Sequence, residues 1–153
     1  MSQSKYRNFF AEEYCYKYHH IDLSRANTVA NKMAINNKFM ALEWDYDRVD
    51  ITIFDPNEYS YGKPNQKLIK GHTVKIFDIK FSPFSTDLLA TASENWTVEL
   101  CTIPKEGLTQ DLKNDSQTYL DHKRKVCLID FYHLAADVVA SASLDNIVKF
   151  GIW

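Results

Sequence analysis

The sequence predicts an all-β protein, and three observations carry that prediction. Residues 74–81 (VKIFDIKF), 88–93 (LLATAS) and 97–103 (TVELCTI) are short runs rich in β-branched and aromatic side chains, bounded by turn-formers. No window shows the i, i+3, i+4 apolar stripe of an amphipathic helix. The chain also repeats itself: shifted by 50 residues, 71–103 lies over 121–153 without a gap.

Taken in order, the strand candidates are 33–35, 39–44, 50–54, 74–81, 88–93, 97–103, 126–131, 138–143 and 147–153. Period-two alternation in 74–81 puts Val74, Ile76 and Asp78 on one face and Phe77, Ile79 and Phe81 on the other. Residues 55–66 (DPNEYSYGKPNQ) and 104–117 (PKEGLTQDLKNDSQ) are rich in Pro, Gly, Asn and Asp and read as loops.

The repeat sets the architecture. His72 falls on His122, Lys75 on Lys125, Ile79 on Ile129, Phe81 on Phe131, Asp87 on Asp137, Ala90 on Ala140 and Val98 on Val148. Each copy offers a His, three strands and an acidic or amide residue in the second hairpin turn, which is the plan of a WD-repeat propeller blade. In such a blade the His, a Ser or Thr on the second strand, the turn acid and a Trp on the third strand form a buried chain that must be fully satisfied to stabilise. The second copy supplies His122, Ser141 and Asp145; the first supplies His72, Thr91 and Asn95. The tryptophan positions hold Cys101 and Gly151, and the acid that should follow is replaced by Thr102 and Ile152. The expectation is a partial WD-repeat β-propeller with eroded networks and weaker blades than average.

Composition removes several function classes. The 153 residues are 45% hydrophobic and carry 18 basic and 20 acidic side chains, a net charge of −2, which excludes an unstructured polyelectrolyte and argues against a nucleic-acid binder. Apolar runs fall far short of the ~18 residues of a membrane span, and residues 1–7 are too polar for a signal peptide. Cys15, Cys101 and Cys127, an odd number without CxxC spacing, read as free thiols in a reducing compartment, the cytosol. Cys127 reads as a strand cysteine, despite Arg124 and Lys125 nearby. The chain has 4 glycines where ordinary usage of about 7% gives 10 or 11. That leaves little room for a phosphate cradle, and no GxSxG, GxxxxGK[ST] or GxGxxG occurs. His19 and His20 are adjacent and point to opposite faces of a strand, so no metal site, cofactor or catalysis is expected. Asp45, Asp47 and Asp50 read as turn formers, and the aromatic residues of the N-terminal stretch as packing.

Several segments together resemble the N-terminal half of a coronin. Ser4-Lys5-Tyr6-Arg7-Asn8-Phe9-Phe10 is similar to that family's S-K-[FY]-R-H-V-F opening, and Ala34-Ile35-Asn36-Asn37-Lys38-Phe39-Met40-Ala41 to its A-V-N-P-K-F-L-A strand. Gly71-His72-Thr73, Phe77-Asp78-Ile79 and Phe81-Ser82-Pro83-Phe84 match its first clear WD blade. Ile103-Pro104-Lys105-Glu106-Gly107-Leu108-Thr109 resembles the I-P-x-G-G-L-T loop behind that blade. His122-Lys123-Arg124-Lys125-Val126, with Ala135-Ala136-Asp137 behind it, matches the opening of the next.

The resemblance implies a ring of seven blades at roughly 40–45 residues each, of which about three are present. Residues 1–17 would be an N-terminal segment whose strand at 5–10 closes the ring, 18–70 a divergent blade one, 71–120 blade two and 121–153 an incomplete blade three. Such an open stack leaves a bare sheet edge and apolar inter-blade faces, as in a fragment, a truncated paralogue or a protein needing a partner. The resemblance also implies a cytoplasmic, non-enzymatic protein of the actin cytoskeleton that binds actin filaments through basic residues. The candidates are Lys5, Arg7, Arg25, Lys123, Arg124 and Lys125. Asp22 stands where the family's I-[RK]-V-[ST]-[RK] strand has its first basic residue, a charge reversal at that contact. No heptad pattern provides a coiled coil for self-association. The other function the blades imply is a general WD-repeat scaffold for protein partners without actin binding.

Overall fold

The structure is a computed structural model that describes residues 30–45, 49–55, 67–70, 72–113 and 117–152. The segment 1–29, which contains the expected ring-closing strand and the candidates Lys5, Arg7 and Arg25, lies outside the described residues.

Twelve strands occur among the described residues, and they build three small sheets. The first joins β1 (Met33–Ile35), β2 (Met40–Asp45), β3 (Val49–Phe54) and β4 (Leu68–Lys70) antiparallel in chain order. The second joins β5 (Ile76–Phe81), β6 (Leu88–Ser93), β7 (Thr97–Thr102) and β9 (Gln117–Asp121), and the third joins β10 (Val126–Phe131), β11 (Val138–Ser143) and β12 (Val148–Ile152). The protein is therefore all-β, and each sheet is a blade-like antiparallel meander. No helix among the described residues is long and apolar enough to cross a membrane.

Local chemistry sets the hairpins. Asn36 Oδ1 accepts hydrogen bonds from Lys38 N at 2.8 Å and Phe39 N at 2.7 Å, closing the β1–β2 turn with a side chain that mimics the backbone. Ser82 Oγ does the same after β5, accepting from Phe84 N at 3.2 Å and Ser85 N at 3.3 Å.

Three features depart from the sequence expectation. A bulge between Ile76 and Asp78 breaks the regular alternation of β5, so that Ile76 and Ile79 share the face toward the first sheet while Asp78 turns toward the third, and both faces are buried. The same bulge recurs in β10 between Val126 and Leu128. Residues 104–117, expected as a loop, contain β8 (Leu112–Lys113) and the first residue of β9. β8 leaves the second repeat and pairs parallel with β4, extending the first sheet to five strands.

The core lies between the sheets. Phe39, Ala41, Ile51, Ile53 and Ile69 of the first sheet pack against Ile76, Ile79, Leu89, Cys101 and Ile103. Leu88, Ala90, Ala92 and Val98 of the second sheet pack against Val126, Ile129, Phe131 and Val139 of the third. All six residues of β6 are buried because the middle sheet serves both layers: Leu89 faces one and Leu88, Ala90 and Ala92 the other. Burying each large aliphatic side chain contributes about 1.5–3 kcal/mol. Backbone and carboxylate bonds tie the layers together: Asn31 N donates to Phe77 O at 3.0 Å, and Ile129 N donates to Asp78 Oδ2 at 3.0 Å.

Candidate functional site

The third sheet carries a continuous hydrogen-bonded chain. The His122 ring is fully buried, with Nδ1 3.0 Å from Asp145 Oδ2 and Nε2 2.7 Å from Ser141 Oγ. A carboxylate only accepts, so Nδ1 carries the hydrogen of the first bond. Nε2 shares the second bond with the Ser141 hydroxyl. Asp145 also accepts from Lys123 N at 3.0 Å and Ile147 N at 2.9 Å. Desolvation opposes the Asp145 charge, but the hydrogen bonds from Lys123 N, His122 and Ile147 N outweigh it and hold the carboxyl down at about 2. Ser143 Oγ donates to Arg124 O at 2.8 Å, and Leu144 N donates to Lys125 O at 3.1 Å. The chain therefore clamps the loop 122–125 from beneath and leaves Lys123 and Arg124 exposed on it.

The second sheet repeats the plan with a different acid. His72 Nε2 lies 3.4 Å from Thr91 Oγ1, and Nδ1 lies 3.5 Å from Glu99 Oε2. Asn95 does not reach His72: its Oδ1 closes its own turn, accepting from Ser93 Oγ, from Thr97 Oγ1 at 2.6 Å and from Thr97 N at 3.3 Å. Glu99, opposite Thr91 in the β6–β7 register, supplies the carboxylate instead, and the matching position in the third sheet is Lys149. Burial lowers the basicity of His72, partly offset by the charge of Glu99. The sequence signal for Glu99 was one charged residue inside the apolar run TVELCTI.

Asp78 was likewise missed. It is 1% exposed and gives Oδ2 to Ile129 N, while its Oδ1 is buried without a hydrogen-bond partner among the described residues. A charged residue in a strand reads as solvent-facing, but both faces of this sheet are covered, and the bulge turns Asp78 toward the third sheet. Of the remaining basic candidates, Lys125 is half-buried, with Nζ 5.1 Å from the centre of the Phe77 ring. Lys5, Arg7 and Arg25 lie outside the described residues.

The top of the loop meets two matching hairpin turns. Trp96 N donates to Ser93 O at 3.4 Å and Asn146 N to Ser143 O at 3.2 Å, one repeat apart. Trp96 O in turn accepts from His122 N at 2.9 Å, so the second-sheet turn abuts the basic loop. At the outer edge, Gly107 adopts φ 78° and starts the strap that ends in β8, where Asp111 pairs with Lys70 at 2.6 Å and accepts from Leu68 N at 3.1 Å. Its Lys70 and Leu68 partners hold the Asp111 carboxyl below the usual range. Cys101 is a buried free thiol pushed up to about 11 by burial and by the charge of Glu99; Cys127 is a half-buried free thiol, and Cys15 lies outside the described residues. Among the described residues no group of three or more His, Cys, Asp or Glu side chains is arranged to hold a metal ion.

Repeated blade-like sheets packed face to face, the second and third each carrying a buried histidine set between a hydroxyl and a carboxylate, define a portion of a WD-repeat propeller. No family model matches the chain. It is 27% identical over 158 aligned positions to the coronin-like protein crn1 of Schizosaccharomyces pombe, covering 98% of this chain and 26% of that protein. It is 32% identical over 119 positions to coronin-A of Dictyostelium discoideum, covering 75% of this chain and 26% of that protein. The solved WD40 domain of Toxoplasma gondii coronin superposes with a TM-score of 0.81 at 29% identity, over 92% of this chain and 36% of that one. The chain belongs to the coronin family and spans part of its WD40 domain, about a quarter of the length of these curated relatives.

Proposed function

We propose that this chain contacts actin filaments in the cytoplasm, through the loop that presents Lys123 and Arg124. The observation that carries the proposal is the coronin similarity along nearly the whole chain, in which this loop matches the opening of a family blade. Two exposed cations side by side on a loop fixed by Asp145 and Ser143 suit an acidic protein surface, because the charges are held in place before contact. The three sheets correspond in this proposal to blades one to three, with Lys5, Arg7 and Arg25 as further contacts. Asp22 removes one attraction from that surface and places more of the contact on Lys123 and Arg124.

Co-sedimentation with filaments at two salt concentrations tests this. The expected result is pelleting at low salt that weakens as screening shortens the range of the charges. Lys123→Glu with Arg124→Glu abolishes it. A chain that stays in the supernatant at low salt overturns the proposal.

A further inference from the structure

The turns that close the β6–β7 and β11–β12 hairpins are copies of one another, and each ends in a residue of left-handed conformation. In the third sheet that residue is Asn146 at φ 63°; in the second it is Trp96 at φ 74°. Asparagine tolerates this conformation because its side chain is short and polar, whereas a bulky aromatic there is an outlier. Trp96 is not drawn into the core in exchange, since 52% of it is exposed. A large apolar side chain held in solvent, on backbone that disfavours it, points to a use outside the chain's own core.

Its neighbours specify the partner. The bond from His122 N to Trp96 O seats the turn against the loop of Lys123 and Arg124. On the far side of that loop, the Leu144 N bond to Lys125 O brings in the neighbouring turn, whose Leu144 side chain is 47% exposed. Two apolar side chains thus flank two exposed cations. The Asp145 oxygens beneath the loop accept from His122, Lys123 N and Ile147 N, and not from the side chains of Lys123 or Arg124. We infer that this surface docks a short acidic protein segment carrying a large apolar residue. The cations steer and orient its carboxylates, and Trp96 with Leu144 desolvates against its apolar side chain, as aromatic anchors beside arginine do at interfaces. A nucleic acid fits less well, because a phosphate backbone calls for a basic stripe and this loop presents two exposed cations in a chain of net charge −2. The site shares Lys123 and Arg124 with the filament contact but does not depend on it.

A random dodecapeptide library displayed on phage and panned against the full chain tests the inference. The expected peptides carry Asp or Glu around a Leu, Phe or Trp, and Trp96→Asn lowers their affinity by roughly tenfold or more in fluorescence anisotropy. The same variant places in the second sheet the residue that the third already uses, so its Tm rises by about 2–4 °C, and weaker binding is not a sign of unfolding. Arg124→Glu weakens the same peptides most at low salt. Peptides that bind Trp96→Asn as tightly as the parent, enriched peptides without acidic residues, or no enrichment over a panning on Trp96→Asn each overturn it. Filament co-sedimentation of Trp96→Asn is read separately, so failure of the peptide site and failure of actin binding are distinguishable.

Discussion

His122 and His72 occupy the same place one repeat apart, but their bonds are not equal. His122 is held at 2.7 and 3.0 Å, whereas His72 makes one long bond, 3.4 Å to Thr91, and its Nδ1 stands 3.5 Å from Glu99 without a hydrogen bond. Removing a hydroxyl should therefore cost more in the third sheet. Ser141→Ala leaves Nε2 of a buried ring unpaired and is expected to destabilise by about 1–3 kcal/mol, against less than about 1 kcal/mol for Thr91→Val, as measured by urea unfolding. Acid separates the two further. The His72 pKa lies below the ordinary 6.5, so the unfolded chain binds a proton that the folded chain resists. Its contribution is complete above 6.5 and is lost as pH falls through the lowered value. The Asp145 contribution is complete above 3.8 and is lost as pH falls towards about 2. A urea midpoint that drops between about pH 7.5 and pH 5.5, and drops less in His72→Gln, is the expected signature.

At the scale of the element, the strap from Gly107 to β8 joins the first two sheets along their outer edge. Leu108 and Leu112 pack onto the first core cluster, while Asp111 secures Lys70 and Leu68 N of β4. The strap begins with Gly107 at φ 78°, where an added Cβ would meet Phe39 at an ordinary 3.7 Å. The position therefore resists side chains through its backbone rather than through lack of space. Gly107→Ala is expected to cost about 1–2 kcal/mol and to speed amide exchange in β4, leaving β10–β12 protected as before. Equal acceleration in both sheets would show the strap to be no separate unit. None of this was legible in the sequence, because a two-residue strand carries no alternation and its partner lies more than forty residues away. The hairpins β6–β7 and β11–β12 were legible, because each has two short strand-like runs around one short turn and the repeat shows the pattern twice. Glu99 and Asp78 were not, because sequence pattern treats a strand carboxylate as solvent-facing, whereas this sheet is covered on both faces, and the register opposite Thr91 and the bulge before Asp78 set which neighbour each meets.

Across the whole molecule, the repeat makes one sheet a control for the next. Val98 is 0% exposed because the third sheet covers it, while its counterpart Val148 is 58% exposed. Phe150 and Ile152, further along the same face of β12, are 71% and 79% exposed, and Leu128 joins them from β10. Valine at the same position is core in one sheet and surface in the other, so that difference lies in the neighbour and not in the residue type. Such a row of apolar side chains on an antiparallel sheet favours association with whatever apolar surface is available. Two substitutions separate surface from core. Phe150→Lys with Ile152→Lys removes exposed apolar area without touching a buried contact. It is expected to lower dye binding and concentration-dependent sedimentation while shifting unfolding by no more than about 0.5 kcal/mol. Val98→Lys places a charge at the matching face where it is enclosed, and is expected to unfold the chain, since a buried unpaired cation has no partner to offset its desolvation. Equal destabilisation by both would mean that the face of β12 is covered in solution. In that case the sedimentation coefficient of the parent would show whether a second copy of the chain is what covers it.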